Sequence, residues 1–199
     1  TDFTTLRVTA ERRAITDSIL SYVGTKDTYS GKTWGQVTKN GGSVNLSYDD
    51  GDAGFYAEAG YYSYLGNNVK SNKSVNANAG LYVRPYRYDD RELKTGINVG
   101  YMDFDKNLSY YSFGQGGYFS PQNYVSVSFP VEYTQNYDDW DLKLSAAVGY
   151  QSYSQDKSAY FPNNPDLQKQ LDELGDAGFG TEAYYAGKTQ NGIGWIAGG

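Results

Sequence analysis

The chain reads as all-β: an antiparallel up-and-down barrel of the transmembrane type, present as a partial barrel segment with one short helix in a long loop. Three observations predict it. Six segments alternate apolar and polar residues at period two, and successive strand side chains point to opposite faces of a sheet. The 199 residues include 24 Gly and 22 Tyr, a palette that fits strands with one apolar outer row and aromatic girdles better than the Leu, Ile and Phe of an aqueous sandwich core. Mean hydropathy is −0.68, and no run of about 18 apolar residues occurs, so spanning helices are excluded. A spanning barrel is not, because half of each strand faces a polar lumen.

The elements follow in order. Strands near residues 3–15 and 18–23 are predicted weakly, since Glu11-Arg12-Arg13 interrupts the alternation. Asn40-Gly41-Gly42 is turn chemistry,. After it Val44, Leu46 and Tyr48 alternate with Ser43, Asn45 and Ser47, up to a turn at Asp49-Asp50-Gly51. In residues 54–64, Phe55, Ala57, Ala59 and Tyr61 oppose Tyr56, Glu58, Gly60 and Tyr62; Gly66-Asn67-Asn68 ends the run. Val75, Ala77, Ala79, Leu81 and Val83 face away from Asn76, Asn78, Tyr82 and Arg84, before a turn at Asp89-Asp90. Leu93, Ile97 and Val99 then oppose Glu92, Lys94 and Asn98. A long Gly-rich connection over 105–123 precedes Val125, Val127, Phe129, Val131 and Tyr133, which oppose Ser126, Ser128 and Glu132. The sixth run, 140–151, sets Trp140, Leu142, Leu144, Val148 and Tyr150 against Asp141, Lys143 and Gln151. The connection over 154–181 holds the one good helix, with Asn164 as cap, Pro165 at the first position, Leu167, Leu171 and Leu174 on one face, and Gly175 just past the end,. Residues 192–197 start another strand that Gly198-Gly199 stops. An open barrel in lipid leaves backbone groups unsatisfied, so the native barrel is expected to continue beyond residue 199.

Composition removes several function classes. With no Cys there is no disulfide framework or thiol chemistry, and with no His the commonest general base and metal ligand is missing,. A net charge of −6 argues against nucleic acid as a partner,. No secretory signal stands at Thr1, so export implies a longer precursor,. No metal or cofactor is expected. Asp49, Asp50 and Asp52 offer oxygens to calcium, but Asp-Gly turns form without metal and no acidic residue follows at loop spacing. Gly114-Gln115-Gly116-Gly117 lacks the Lys and Ser/Thr of a phosphate loop,. Glu58, Glu92 and Glu132 supply the residue type of a glycosidase pair, but nothing in the sequence brings any two within catalytic distance, and carboxylates on a solvated face are the better reading. The polar row is more informative. Tyr56, Glu58, Tyr62, Asn76, Asn78, Tyr82, Arg84, Glu132, Asp141 and Gln151 recur at one parity on several strands and suit a hydrated polysaccharide: aromatic faces stack on sugar rings, while amides and carboxylates bond hydroxyls. Tyr61, Phe129, Tyr133, Trp140 and Tyr150 are the expected lipid-facing aromatics.

Four blocks carry a family resemblance: residues 17–24 (DSILSYVG), 30–41 (SGKTWGQVTKNG), 61–69 (YYSYLGNNV) and, most specific, 105–124 (DKNLSYYSFGQGGYFSPQNY). In this order they resemble the C-terminal barrel region of the bacterial cellulose export porin, the outer-membrane member of the cellulose synthase machinery. The resemblance implies a non-enzymatic barrel in the bacterial outer membrane that passes a β-1,4-glucan outward, with outer-membrane lipid as its surroundings. It also implies contact with the cellulose synthase complex through an upstream periplasmic helical-repeat region, which this chain lacks. Gly114, Gln115, Gly116, Gly117, Tyr118 and Phe119 are then candidates for a loop that narrows or gates one mouth. The rival reading is a soluble or surface carbohydrate-binding β-protein using the same Tyr-rich face.

Overall fold

Period-two alternation becomes a sheet whose two faces differ in kind, because register locks each apolar row beside the next. The computed structural model describes residues 3–198. In chain order the elements are β1 (Thr4–Ala14), α1 (Ile19–Tyr22), β2 (Thr25–Lys26), β3 (Thr33–Asp49), β4 (Ala53–Asn67), β5 (Asn72–Tyr88), β6 (Arg91–Phe104), β7 (Asn123–Asn136), β8 (Asp141–Gln155), β9 (Ser158–Ala159), α2 (Pro165–Asp176), β10 (Tyr184–Tyr185) and β11 (Lys188–Gly198). The long strands form one antiparallel sheet in the order β1-β3-β4-β5-β6-β7-β8-β11, with β2 attached to β3 and β9–β10 a separate two-stranded piece. Every long strand therefore neighbours its predecessor among the long strands, which is the predicted meander.

The register keeps parity across the sheet. Glu58 pairs with Asn45 on one side and Asn78 on the other. Asn78 pairs with Gly100, Gly100 with Ser126, and Ser126 with Gln151. The opposite face runs Leu46, Ala57, Ala79, Val99, Val127 and Tyr150. Burial is inverted relative to a water-soluble sheet: the apolar row is the open one, with Val8 74%, Leu81 62% and Ile193 79% exposed. The packed apolar cluster, Val37, Tyr62, Tyr64, Val69, Phe104, Leu108 and Tyr118, lies on the polar side.

The two ends of the sheet also differ. Three tight turns, at residues 50–52, 89–90 and 137–140, share one end. The other end holds the four-residue link at 68–71 together with all the longer connections, and they are stitched together. Phe119 N donates to Asp17 Oδ2 at 3.0 Å, Lys70 N to Gly114 O at 2.9 Å, and Asn107 Nδ2 to Asp156 O at 2.8 Å.

Five expectations are corrected. Residues 18–23 are not a strand: the Ser18 side chain accepts from Ser21 N at 3.1 Å while Ser18 N donates to Ser21 Oγ at 2.9 Å, a capping box that starts α1,. Asn40-Gly41-Gly42 is not a turn but the middle of β3. A Cβ at Gly41 would sit 2.2 Å from Tyr61 O and 2.9 Å from the Tyr62 ring, so these glycines admit a neighbouring strand and its aromatic ring. Gly175 falls inside the last turn of α2, whose cap is Ala177. The buried residue of that helix is Gln168, not a leucine. Its Oε1 accepts from Phe161 N at 3.0 Å and its Nε2 donates to Ala183 O at 2.8 Å, so a polar anchor fixes α2. The last strand, finally, runs through Lys188–Gly198.

Candidate functional site

The polar face divides along the strand direction into three zones. At the tight-turn end it is charged. Arg84 and Pro85 lie where the β5–β6 register shifts between Val83 and Tyr86, a bulge at the kind of position where Pro is tolerated in a sheet. The shift returns Arg84 and Arg87 to the same side. Arg84 makes a fork to Asp49, Nη1 to Oδ1 and Nη2 to Oδ2, each 2.8 Å, and its Nε donates to Glu92 Oε1 at 3.1 Å. Tyr82 OH donates to Asp49 Oδ2 at 2.8 Å. Arg87 lies 3.7 Å from Glu92, and Lys143 lies 3.1 Å from Glu132. Asp49 thus spends its oxygens on Arg84 and Tyr82. Asp50 Oδ1 closes the turn by accepting from Asp52 N and Ala53 N, and these backbone donors, Ala53 first, hold its carboxyl below the usual carboxylate range.

The middle zone carries two charges, Glu58, which is half-buried beside Asn78, and Arg7, which is exposed on β1 one strand beyond Asn45 in the same row. Tyrosine rings here lie along the wall over glycines of the next strand. An added Cβ at Gly80 would fall 2.4 Å from the Tyr56 ring, and one at Gly54 would fall 2.4 Å from the Tyr82 ring. Tyr56 OH donates to Asn98 Oδ1 at 3.1 Å. Beside this stretch opens a cleft of about 620 Å³ lined by Asn76, Asn78, Gly100, Tyr101, Met102, Phe119, Tyr124, Ser126, Gln151 and Tyr153. Tyr124 OH donates to Gln151 Oε1 at 3.2 Å, and Tyr153 OH to Gln190 Oε1. Asn76 Oδ1 is buried without a hydrogen-bond partner.

The third zone is dry. Tyr62 is 5% exposed, with Lys39 Nζ 3.5 Å above its ring, so it belongs to the packed cluster. Lys39 is itself paired with Glu11 at 2.6 Å. Gly114 through Tyr118 are buried as well. Gly116 N and Gly117 N both donate to Leu108 O, at 3.0 and 2.9 Å, so this Gly-rich stretch turns its amides on the protein itself. Gln115 Nε2 bonds Ser158 Oγ at 2.9 Å and Ala159 O at 2.7 Å. Tyr118 stacks on Tyr64 and receives a bond from Asn72 Nδ2 at 3.2 Å; burial pushes its phenol well above the ordinary value. Of the six loop residues singled out in the sequence, Phe119 alone stands exposed, at 37%.

Of the ten polar-row candidates, Asn76, Asn78 and Gln151 meet in the cleft. Tyr82, Arg84 and Glu132 belong to the charged end, Tyr56 and Glu58 lie between, and Asp141 is exposed at the start of β8 opposite Asn136. Glu92 and Glu132 are each taken up by a cation, while Glu58 is three strands from Glu132 in the sheet order.

The match to known sequences covers the whole chain: residues 1–199 fit the family model described as the cellulose synthase operon protein C C-terminus. The chain belongs to that family. Its relatives include the cellulose synthase operon protein C of Xanthomonas axonopodis pv. citri, 36% identical over 193 residues, which covers 92% of this chain and 13% of the relative. The protein of that name from Komagataeibacter xylinus is 36% identical over 164 residues, 82% of this chain and 13% of its own length. The Escherichia coli K12 protein is 42% identical over 135 residues, 65% of this chain and 12% of its own. The chain thus spans a small part of the relatives it matches.

Sequence reasoning missed Tyr124, Tyr153 and Asp49 as members of this face. Tyr124 and Tyr153 share the parity of Ser126 and Gln151, a signal that was present. Nothing local signalled that Asp49 would meet Arg84 across 35 residues of chain.

Proposed function

We propose that the chain is wall and mouth of an outer-membrane β-barrel pore that conducts a linear β-1,4-glucan, cellulose, outward without chemically altering it. The observation that carries this reading is the inverted burial: a continuous apolar row open to the surroundings on one face, and packed or hydrogen-bonded polar groups on the other. Lipid is the solvent in which that arrangement is stable. Strands of 11 to 17 residues meet or exceed the 9–11 or so that a tilted strand needs to cross,. Outer-membrane barrels keep short turns on the periplasmic side and longer loops outside. The charged end then faces the periplasm, and the stitched connections face the exterior. The outer edges of β1 and β11 have no strand partner among the described residues, and in lipid both must be closed by strand pairing. The relatives' name, cellulose synthase operon protein C, supports reading cellulose as the cargo and the synthase as the partner machinery.

Conduction on this reading is passive. Synthesis pushes the glucan, and the wall offers many weak contacts that exchange readily, since a conducting site must also release. The test is the full-length protein's partition between detergent and water together with heat-modifiable migration. A detergent-dependent, heat-modifiable band is expected. A monodisperse protein that needs no detergent overturns the reading in favour of a soluble carbohydrate-binding sheet.

A further inference from the structure

The cleft beneath the stitched connections is separated from the charges that dominate the periplasmic-side zone. Its lining residues carry no ionisable carboxylate or amine; they are amides, hydroxyls, glycine, methionine and aromatic rings. Phe119 meets Tyr153 edge-on at 5.0 Å and 89°, and Tyr124 edge-on at 6.2 Å and 87°. Tyr124 and Tyr153 are themselves directly paired across β7 and β8. One side of the cleft is thus an aromatic wall. The adjacent row, Asn78-Gly100-Ser126-Gln151-Gly192, is its polar floor. The floor is low because two of its five positions are glycine. At Gly100 a Cβ would press within 2.7 Å of Ser126 Oγ, and at Gly192 there is open space.

The wall is also rigid. Phe119 is exposed, but its flanking residues Tyr118 and Ser120 are 2% and 0% exposed, and its own amide is tied to Asp17. An aromatic side chain fixed in this way stacks on a ligand with little loss of conformational freedom. At about 620 Å³ the cleft falls within the ordinary range of ligand sites, roughly 300–1,000 Å³,.

We propose that this cleft, with Phe119, Tyr124 and Tyr153 as stacking wall and Asn78, Ser126 and Gln151 as hydroxyl-bonding floor, is a discrete docking subsite that selects an uncharged β-linked glucan over an anionic polysaccharide. A β-1,4-linked glucose ring has C–H bonds on its faces and hydroxyls on its edges, which matches a wall of rings meeting a floor of amides. A uronate carboxylate would enter without a cation to meet it, and desolvating an unpaired charge is costly. The proposal rests on the conduit reading, and its test separates the two.

The full-length protein is placed in a planar bilayer, and current block is recorded with cellohexaose and with hexagalacturonate. Long blocks by cellohexaose and at least tenfold shorter ones by hexagalacturonate are expected. The double variant Phe119→Ala, Tyr153→Ala is expected to shorten the cellohexaose block roughly tenfold, the combined loss of two aromatic contacts. Tyr153→Phe keeps the ring and should keep the block. Heat-modifiable migration of each variant certifies folding. A cellohexaose block undiminished in the folded double variant, or equal block by both probes, overturns the subsite. Absence of conductance in the unsubstituted protein removes the conduit instead. Calorimetric binding of cellohexaose in micelles then decides the subsite alone, which stands if affinity falls in the double variant and is lost if it does not.

Discussion

Gly80 and the Tyr56 ring show how single residues shape this wall. A ring laid over a glycine keeps its bulk out of the space in front of the sheet, so both members set the width of the path. Gly80→Ala would thrust a methyl to 2.4 Å from both the Tyr56 ring and Asn98 Oδ1. Overpacking of that kind costs about 1–3 kcal/mol. The expected result is a loss in that range by urea unfolding in lipid vesicles, partly recovered when Tyr56→Ser is added, so that the double-mutant cycle reports coupling. Arg84 is the second residue on which much turns. Its side chain is 13% exposed and holds Asp49 and Glu92 together across three strands. Arg84→Lys keeps the charge but loses the planar fork. A loss of about 1–3 kcal/mol is expected, measured in the same unfolding experiment.

At the scale of elements, the connection over residues 105–122 is a fixed structure. Buried polar groups such as Asn107, Ser120 and the side-chain amide nitrogen of Gln115 bond one another or backbone groups, while Gln115 Oε1 is left without a partner,. Tyr118 gives this cap a pH dependence. Its phenol titrates above the ordinary 10.0 in the folded state because it is buried. The unfolded cap therefore binds fewer protons than the folded one once pH exceeds the ordinary phenol value. Stability is fully present below that pH and is lost as pH rises toward the folded value. Melting temperature is expected to hold up to the ordinary phenol value of 10.0 and to drop as pH rises beyond it, with a smaller drop in Tyr118→Phe,. The same element explains what the sequence could and could not yield. The six alternating runs were legible because period two is a local signal, and the helix after Asn164 because its cap is local. Residues 18–23 were misread because a Ser18–Ser21 capping box is short, and Asn40-Gly41-Gly42 because a glycine that admits an aromatic ring looks identical to one that turns the chain. The cleft was half legible: parity placed Asn76, Asn78 and Gln151 on one face. Only folding brings Phe119 from the connection down to Tyr124 and Tyr153.

The whole molecule is an amphipathic sheet turned inside out relative to one that folds in water. On a lipid-facing row an arginine near the bilayer midplane costs about 2–4 kcal/mol. Val148→Arg, on the apolar row of β8, is expected to weaken or block assembly, seen as loss of the heat-modifiable band. Ser126→Arg, on the polar row of β7, is expected to assemble normally. The most direct measurement uses the absence of cysteine from this chain. Single cysteines placed in turn at residues 125 to 129 of the full-length protein, with any other cysteine removed, are exposed in intact outer membranes to a membrane-impermeant maleimide. Labelling at Ser126 and Ser128 but not at Val125, Val127 and Phe129 is the expected result. Equal labelling at all five positions, or labelling confined to the apolar row, would contradict a polar conduit bounded by lipid.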